Sequence, residues 1–275
     1  IIETTAPEKP TITTGNTTIN DTTPSVSGTA EAGSTVKLFN GSIELGSTTA
    51  DGSSGAFTVE VSNSSALSDG SYDLTVTATD TAGNTSVASE PVVFIIDTDA
   101  PNLPTITTIS TITNNTTPTI VGTAEAGSTV KLFNGSTELG STTANSSGQF
   151  SIKSSALFSG SYNLTVTATD IAGNTSTASD PVVFTIDTTA PGKPTISTSD
   201  TTTNNPTPTI VGTADAGSTV KLFSGSSELG STTANTDGSF TITSPSLAEQ
   251  DFVFTVTATD AAGNTSTASD PVASQ

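Results

Sequence analysis

Residues 161–169 read SYNLTVTAT, with Tyr162, Leu164, Val166 and Ala168 alternating against polar neighbours. A strict period of two over nine residues is the mark of a strand with one face buried and one face wet. Working outward, Asp170-Ile171-Ala172-Gly173-Asn174 is a turn sequence, and a last strand is expected over 175–186 with Pro181 at an edge or bulge. On the other side, strands are expected over 149–153 and 138–143. Asn134-Gly135 is a two-residue hairpin signal. Further upstream, strands are expected over 129–133, 119–124 and 105–108, with a polar loop carrying Asn114, Asn115 and Pro118 between the last two. Seven short β-rich runs punctuated by turns, with no helical periodicity, indicate an all-β immunoglobulin-like sandwich.

The same unit is written three times. SGTAEAGSTVKLFNG begins at Ser27 and returns from Val121 and Val211; TVTATDTAGNTS begins at Thr75 and returns from Thr165 and Thr255. The period is close to 90 residues, which suits a small sandwich domain with its own core. The expected domains are 1–97, 98–187 and 188–275, arranged as an elongated rod. At 32% hydrophobic residues each core is thin.

Inventory removes whole classes of chemistry. The chain has no Cys, His, Trp or Met, so disulfides, cysteine or histidine zinc sites and Ser-His-Asp triads are excluded. Its cations number six, all Lys, against twenty-six Asp and Glu, a net charge of −20. That field repels nucleic acid and anionic membranes, and no apolar run is long enough to span a bilayer. With two Tyr and eleven Phe, the chain is also poor in rings for an extended sugar-stacking face. Tyr72, Tyr162 and Phe252 occupy one position of the repeat and read as core.

Three motifs recur in order in each copy: D-T-x-A-P-x-x-P, G-T-A-E-A-G-S-T-V and T-A-T-D-x-A-G-N-x-S, with Glu3 replacing the first Asp in the first copy and Asp215 replacing the Glu in the third. Together they resemble the tandem bacterial immunoglobulin-like repeats of giant surface adhesins, over essentially the whole chain. The resemblance implies an extracellular stalk on the bacterial cell surface, exported by a type I system and anchored at one end. It also implies calcium at acidic junctions between repeats.

The residues add their own case. In a seven-strand sandwich, the domain entry, the loop between the second and third strands and the loop before the last strand share one pole. At the first junction those places hold Asp97, Asp99, Glu125, Asp170 and Asn174; at the second they hold Asp187, Asp215, Asp260 and Asn264. The first repeat offers Glu3, Glu31, Asp80 and Asn84. Calcium takes about 6 to 8 oxygens, several from carboxylates. The competing reading is plain: acids in polar loops are ordinary, and Asp-x-Ala-Gly-Asn is also a good turn. Two further slots are always acidic. Glu44, Glu138 and Glu228 read as a solvated strand face, and Glu90, Asp180 and Asp270 as edge-strand protection.

The expected function is therefore a non-catalytic spacer stiffened by calcium, whose partners are neighbouring repeats. The alternative is a filament or surface-layer subunit with homotypic contacts by strand addition, suggested by the spare Ile1-Ile2-Glu3 and the shortened end at Val272-Ala273-Ser274-Gln275. An arbitrary boundary within a longer polypeptide accounts for the same ends. A carbohydrate-binding module is the third reading.

Overall fold

A computed structural model describes residues 4–199, 205–248 and 251–274. Its first domain contains β1 (Thr11–Ile12), β2 (Thr17–Ile19), β3 (Ser25–Thr29), β4 (Thr35–Asn40), β5 (Ile43–Thr49), β6 (Ala56–Glu60), β7 (Gly70–Thr79) and β8 (Val92–Ile96). The second contains β9 (Thr105–Ile106), β10 (Thr111–Thr113), β11 (Thr119–Thr123), β12 (Thr129–Asn134), β13 (Thr137–Thr143), β14 (Gln149–Lys153), β15 (Gly160–Thr169) and β16 (Val182–Ile186). The third contains β17 (Thr195–Ile196), β18 (Thr209–Thr213), β19 (Thr219–Ser224), β20 (Ser227–Thr233), β21 (Ser239–Thr243), β22 (Phe252–Thr259) and β23 (Val272–Ser274).

Each domain is two sheets face to face. In the second, β9-β11-β14 oppose β10-β16-β15-β12-β13; the first repeats this order. The third has β17-β18-β21 against β20-β19-β22-β23, and residues 200–204 lie outside the described range. Among the described residues every strand pairing is antiparallel except β2 with β8 and β10 with β16, which are parallel. In the first two domains the entry segment thus starts on one sheet and crosses to the other, where it lies beside the domain's last strand.

The alternation of β15 buries Leu164, Val166 and Ala168 completely, facing Ile120, Phe150 and Ile152 from the opposite sheet. The three hydrophobic clusters share no residue, so each repeat has its own core. Tyr162 packs against its core and donates its hydroxyl to the carbonyl of Phe158 at 3.0 Å; Tyr72 does the same to Ser68 at 2.9 Å. This is the tyrosine corner of immunoglobulin-like sandwiches. In the third domain Phe252 keeps the ring without the hydroxyl and stacks on Phe254.

Three local expectations are corrected. The hairpin after β12 turns on Gly135-Ser136, one residue later than Asn134-Gly135, because Asn134 still pairs with Thr137. Gly135 has φ 59° and Ser136 after it has no positive φ, the pattern of a turn with glycine first. Second, β10 forms inside the stretch read as a polar loop. Third, regular pairing of the last strand begins only at Val182, and residues 175–181 follow β15 by another device. There Ser176 and Ser179 are buried, and their Oγ atoms accept the amides of Ala168 at 3.0 Å and Val166 at 3.1 Å. The serine amides return bonds to the carbonyls of the same two residues. Serine hydroxyls thus stand in for strand carbonyls.

Five of the six additional acidic residues, all but Asp180, are ion-paired. Lys37–Glu44, Lys131–Glu138 and Lys221–Glu228 each close at 2.9 Å across a hairpin. Lys9 meets Glu90, and Lys193 meets Asp270 at 2.7 Å. In the second domain Leu103 stands at that lysine's position. The three hairpin pairs are half exposed and the Glu90 and Asp270 carboxylates almost wholly so, and solvent screening leaves all five little weight in stability.

Candidate functional site at the domain joints

The turn after β15 is built around Asp170. Its Oδ1 accepts the amides of Gly173 at 2.7 Å and Asn174 at 2.9 Å, and its Oδ2 accepts the Asn174 side-chain amide at 3.0 Å. Gly173, at φ 98°, reverses the chain. Asp80 with Asn84, and Asp260 with Asn264, repeat the arrangement. Burial pushes the Asp170 carboxyl upward, but the hydrogen bonds from Asn174, Gly173 and Ala172 outweigh it and hold its pKa below the ordinary aspartate value. Asp260 is lowered on the same balance. A depressed pKa means that the turn's stabilisation is complete above about pH 4 and is lost as pH falls through the depressed value. In an NMR titration the Asn174 and Asn264 amide signals should therefore hold steady down to about pH 4 and move only below it. Movement centred above that window would show that the carboxylates do not hold the turns.

This turn touches the preceding domain. The Asn174 side-chain amide also donates to the Asp97 carbonyl at 2.8 Å, and the backbone amide of Asn20, just after β2, donates to the Ala172 carbonyl at 3.2 Å. The second joint copies the first: Asn264 donates to the Asp187 carbonyl at 2.8 Å and Asn114 to the Ala262 carbonyl at 3.0 Å. The linkers are tied to the domains they leave. Asp97 donates its amide to Ile19, Thr98 bonds the Asp69 carboxylate, and Asp187 and Thr188 bond Thr113 and Ser159.

Exposure registers the contact. Ala172 and Ala262 retain 7% and 8% of their surface, whereas Ala82, in the same turn of the first domain, is exposed. The three turns share their glycine torsion and their Asp–Asn bonding. The neighbouring domain, not the turn's own shape, buries the alanine.

Of the expected site residues, Asp170 with Asn174 and Asp260 with Asn264 are brought to the linkers, and only backbone carbonyls of Asp97 and Asp187 meet them. The Asp97 and Asp187 carboxylates accept the amides of Asp99 and Thr189 within the linkers, at 3.1 and 2.9 Å. Asp215 accepts the Gly192 amide at 3.0 Å, so that loop does reach the domain entry. Glu31 and Glu125 are exposed, and their carbonyls receive the Ser34 and Ser128 hydroxyls at 2.7 Å. Glu3 lies outside the described residues. The donor types suit a hard cation. As placed, however, no group of three or more acidic side chains among the described residues stands together to hold a metal ion. An amide donor, Asn174 Nδ2, sits where the Asp97 carbonyl and the Asp170 carboxylate converge. Sequence reasoning missed Asn20 and Asn114. Both donate through the backbone amide, and what the sequence offers is an asparagine recurring at that place, within Ile19-Asn20-Asp21, Thr113-Asn114-Asn115 and Thr203-Asn204-Asn205, which marks the position without naming the donor.

No curated protein matches the chain. Among solved structures, fibronectin(III)-like modules of Clostridium thermocellum CbhA align at 18% identity and TM-score 0.46, over 65% of this chain and 94% of theirs. A structure from a 1.5-MDa bacterial ice-binding adhesin aligns at 23% identity and TM-score 0.35, over 97% and 95%. The BSP domain of a biofilm-associated protein aligns at 16% identity and TM-score 0.27, over 98% and 66%. The sequence itself matches one family model three times in succession, over residues 2–98, 105–188 and 192–273, and the chain therefore belongs to the bacterial Ig-like domain family.

Proposed function

We propose that this chain is a non-catalytic extracellular spacer, a stalk segment of a large bacterial cell-surface adhesin. The observation that carries this reading is that both joints are made by the same residues in the same contacts. Asn20, Ala172 and Asn174 on Asp97 are repeated as Asn114, Ala262 and Asn264 on Asp187. Domains joined by one repeated contact form a structure that extends by addition. Its function is then reach and angle.

In this reading calcium stiffens the joints further. Support comes from the ligand chemistry at the first joint: carboxylates of Asp97, Asp99, Glu125 and Asp170, the Asp97 carbonyl and the Asn174 amide oxygen. At the second joint Asp187, Asp215, Asp260 and Asn264 take these places, and the first domain presents Glu31, Asp80 and Asn84. Binding there requires the linker and loop carboxylates to turn toward Asp170 or Asp260.

The test is small-angle X-ray scattering of the intact chain with calcium and with chelator. The expected result with calcium is a maximum dimension of roughly 120–130 Å, from three sandwiches whose strands approach 10 residues at about 3.3 Å each. Chelation should broaden the profile, and Asp170→Ala or Asp187→Ala should each remove one joint's share of that response without unfolding a domain. A profile indifferent to calcium would remove the metal from the assignment and leave a passive spacer.

A further inference from the structure

We infer that the angle of each joint is set without metal, by a two-point polar clasp in which the turn of one domain reads the backbone of the domain before it. This inference rests on the reading of the chain as a spacer, whose joints must hold an angle, and it identifies the residues that define that angle.

The two points are separate in sequence and face opposite ways. At one, the Asn174 side chain of the second domain donates to the Asp97 carbonyl, which ends the first domain. At the other, the first domain donates, from the Asn20 amide to the Ala172 carbonyl. One hydrogen bond is a pivot; two, made from different strands of the same partner, oppose rotation about the linker. The second joint repeats both.

Three further facts favour recognition over incidental touching. Asn174 is already held by Asp170, so its amide is oriented before the domains meet and little freedom is lost on docking. The acceptor carbonyl of Asp97 is held in turn, since the Asp97 amide bonds Ile19 in the first domain. Finally, a small residue is needed between the two points, and Ala172 is covered there. A side chain built at Gly173 would meet Asn20 at 3.6 Å, which places that asparagine directly over the turn. The chemistry also explains why the amide donor stands among oxygens: its two N–H groups satisfy a carbonyl and a carboxylate at once.

A chain without cysteine permits a direct test. Spin labels attached through Ser64→Cys and Ser136→Cys, at exposed positions of the first and second domains, report the joint as a distance distribution in the full chain. In chelator the distribution should keep one peak centred at the distance seen with calcium, wider because the metal no longer adds its stiffening. Two variants should disperse it: Asn174→Ala, which removes one point, and Ala172→Phe, which wedges the gap. The expected change for Asn174→Ala is a roughly fivefold larger open population, corresponding to about 1 kcal/mol for one hydrogen bond. Asn84→Ala and Ala82→Phe make the same changes in the first domain's turn and should leave the distance unchanged. Because Ala82 is exposed, a bulky side chain in this turn is compatible with a folded domain.

A sharp peak in chelator that survives both variants would overturn the clasp and leave the spacer intact. A peak that appears only with calcium would also overturn it, assigning the angle to the metal. A broad distribution with and without calcium would sink the spacer reading along with the clasp.

Discussion

Gly122→Ala is expected to unfold the second domain under conditions in which the first and third stay folded. Gly122 lies in β11, where β9 crosses its edge and the ring of Phe150 lies beside it. A Cβ built there falls 2.0 Å from the Thr105 carbonyl oxygen and 2.6 Å from Cζ of Phe150. Neither neighbour can yield cheaply. Thr105 is held in the β9–β11 ladder, and Phe150 is a core residue with 5% of its surface exposed. Overpacking of this kind typically costs 1–3 kcal/mol, and a clash with backbone belongs at or above the top of that range. A loss of about 3 kcal/mol or more is a large part of the 5–15 kcal/mol a small domain possesses. Calorimetry should then split the melting profile, with one domain's share of the heat moving to lower temperature. Gly28→Ala and Gly212→Ala should do the same to their own domains, since their built Cβ atoms meet Thr11 and Thr195 at 2.1 and 2.0 Å. Gly15→Ala, with nothing within 4 Å, is the control. An unsplit profile would mean that β9 does not lie so close over β11.

The second large effect is expected at Ser176 and Ser179. Each hydroxyl accepts a buried β15 amide, that of Ala168 or Val166, and each also donates to a carbonyl of its own segment, at Thr177 or Asp180. Alanine removes the acceptor and leaves the amide in a dry site, which costs about 1–3 kcal/mol per group. Ser176→Ala with Ser179→Ala should therefore rival the glycine variant, and urea unfolding should show the second domain's transition at a lower midpoint with those of the other two domains unmoved. Thr177→Ala, between them, should shift the midpoint far less. If the double variant unfolds at the wild-type midpoint, water reaches those amides and the serines are dispensable.

These two cases mark where the fold was legible in the sequence. β15 announces itself because each inward residue is apolar and each outward one polar, so its period survives without any knowledge of its partners. β14, at Gln149–Lys153, is equally local and falls where it was expected. β10 was invisible for the opposite reason. Thr111-Ile112-Thr113 is short, sits among asparagines, and becomes a strand only because β16, about seventy residues later, offers it a parallel edge. Residues 175–181 looked like strand because threonine favours β structure, yet the hydroxyls of Ser176 and Ser179 replace part of the ladder. At the joints, the Asp-x-Ala-Gly-Asn turn and its arrival at the linker were readable from topology. The roles were not: counting charges drew attention to carboxylates, whereas the contacts are made by a side-chain amide, a backbone amide and two carbonyls. Backbone groups carry no letter in a sequence.

The parallel pairing of β2 with β8, and of β10 with β16, has a consequence for a molecule pulled by its ends. The entering and departing segments of each of these domains lie side by side and point the same way, so tension draws them in opposite directions along a shared row of hydrogen bonds. Such a row is loaded in shear: its bonds share the force and must break together, whereas a row peeled from one end breaks bond by bond. Pulled from its two ends, each of these two domains is strained along its most resistant direction.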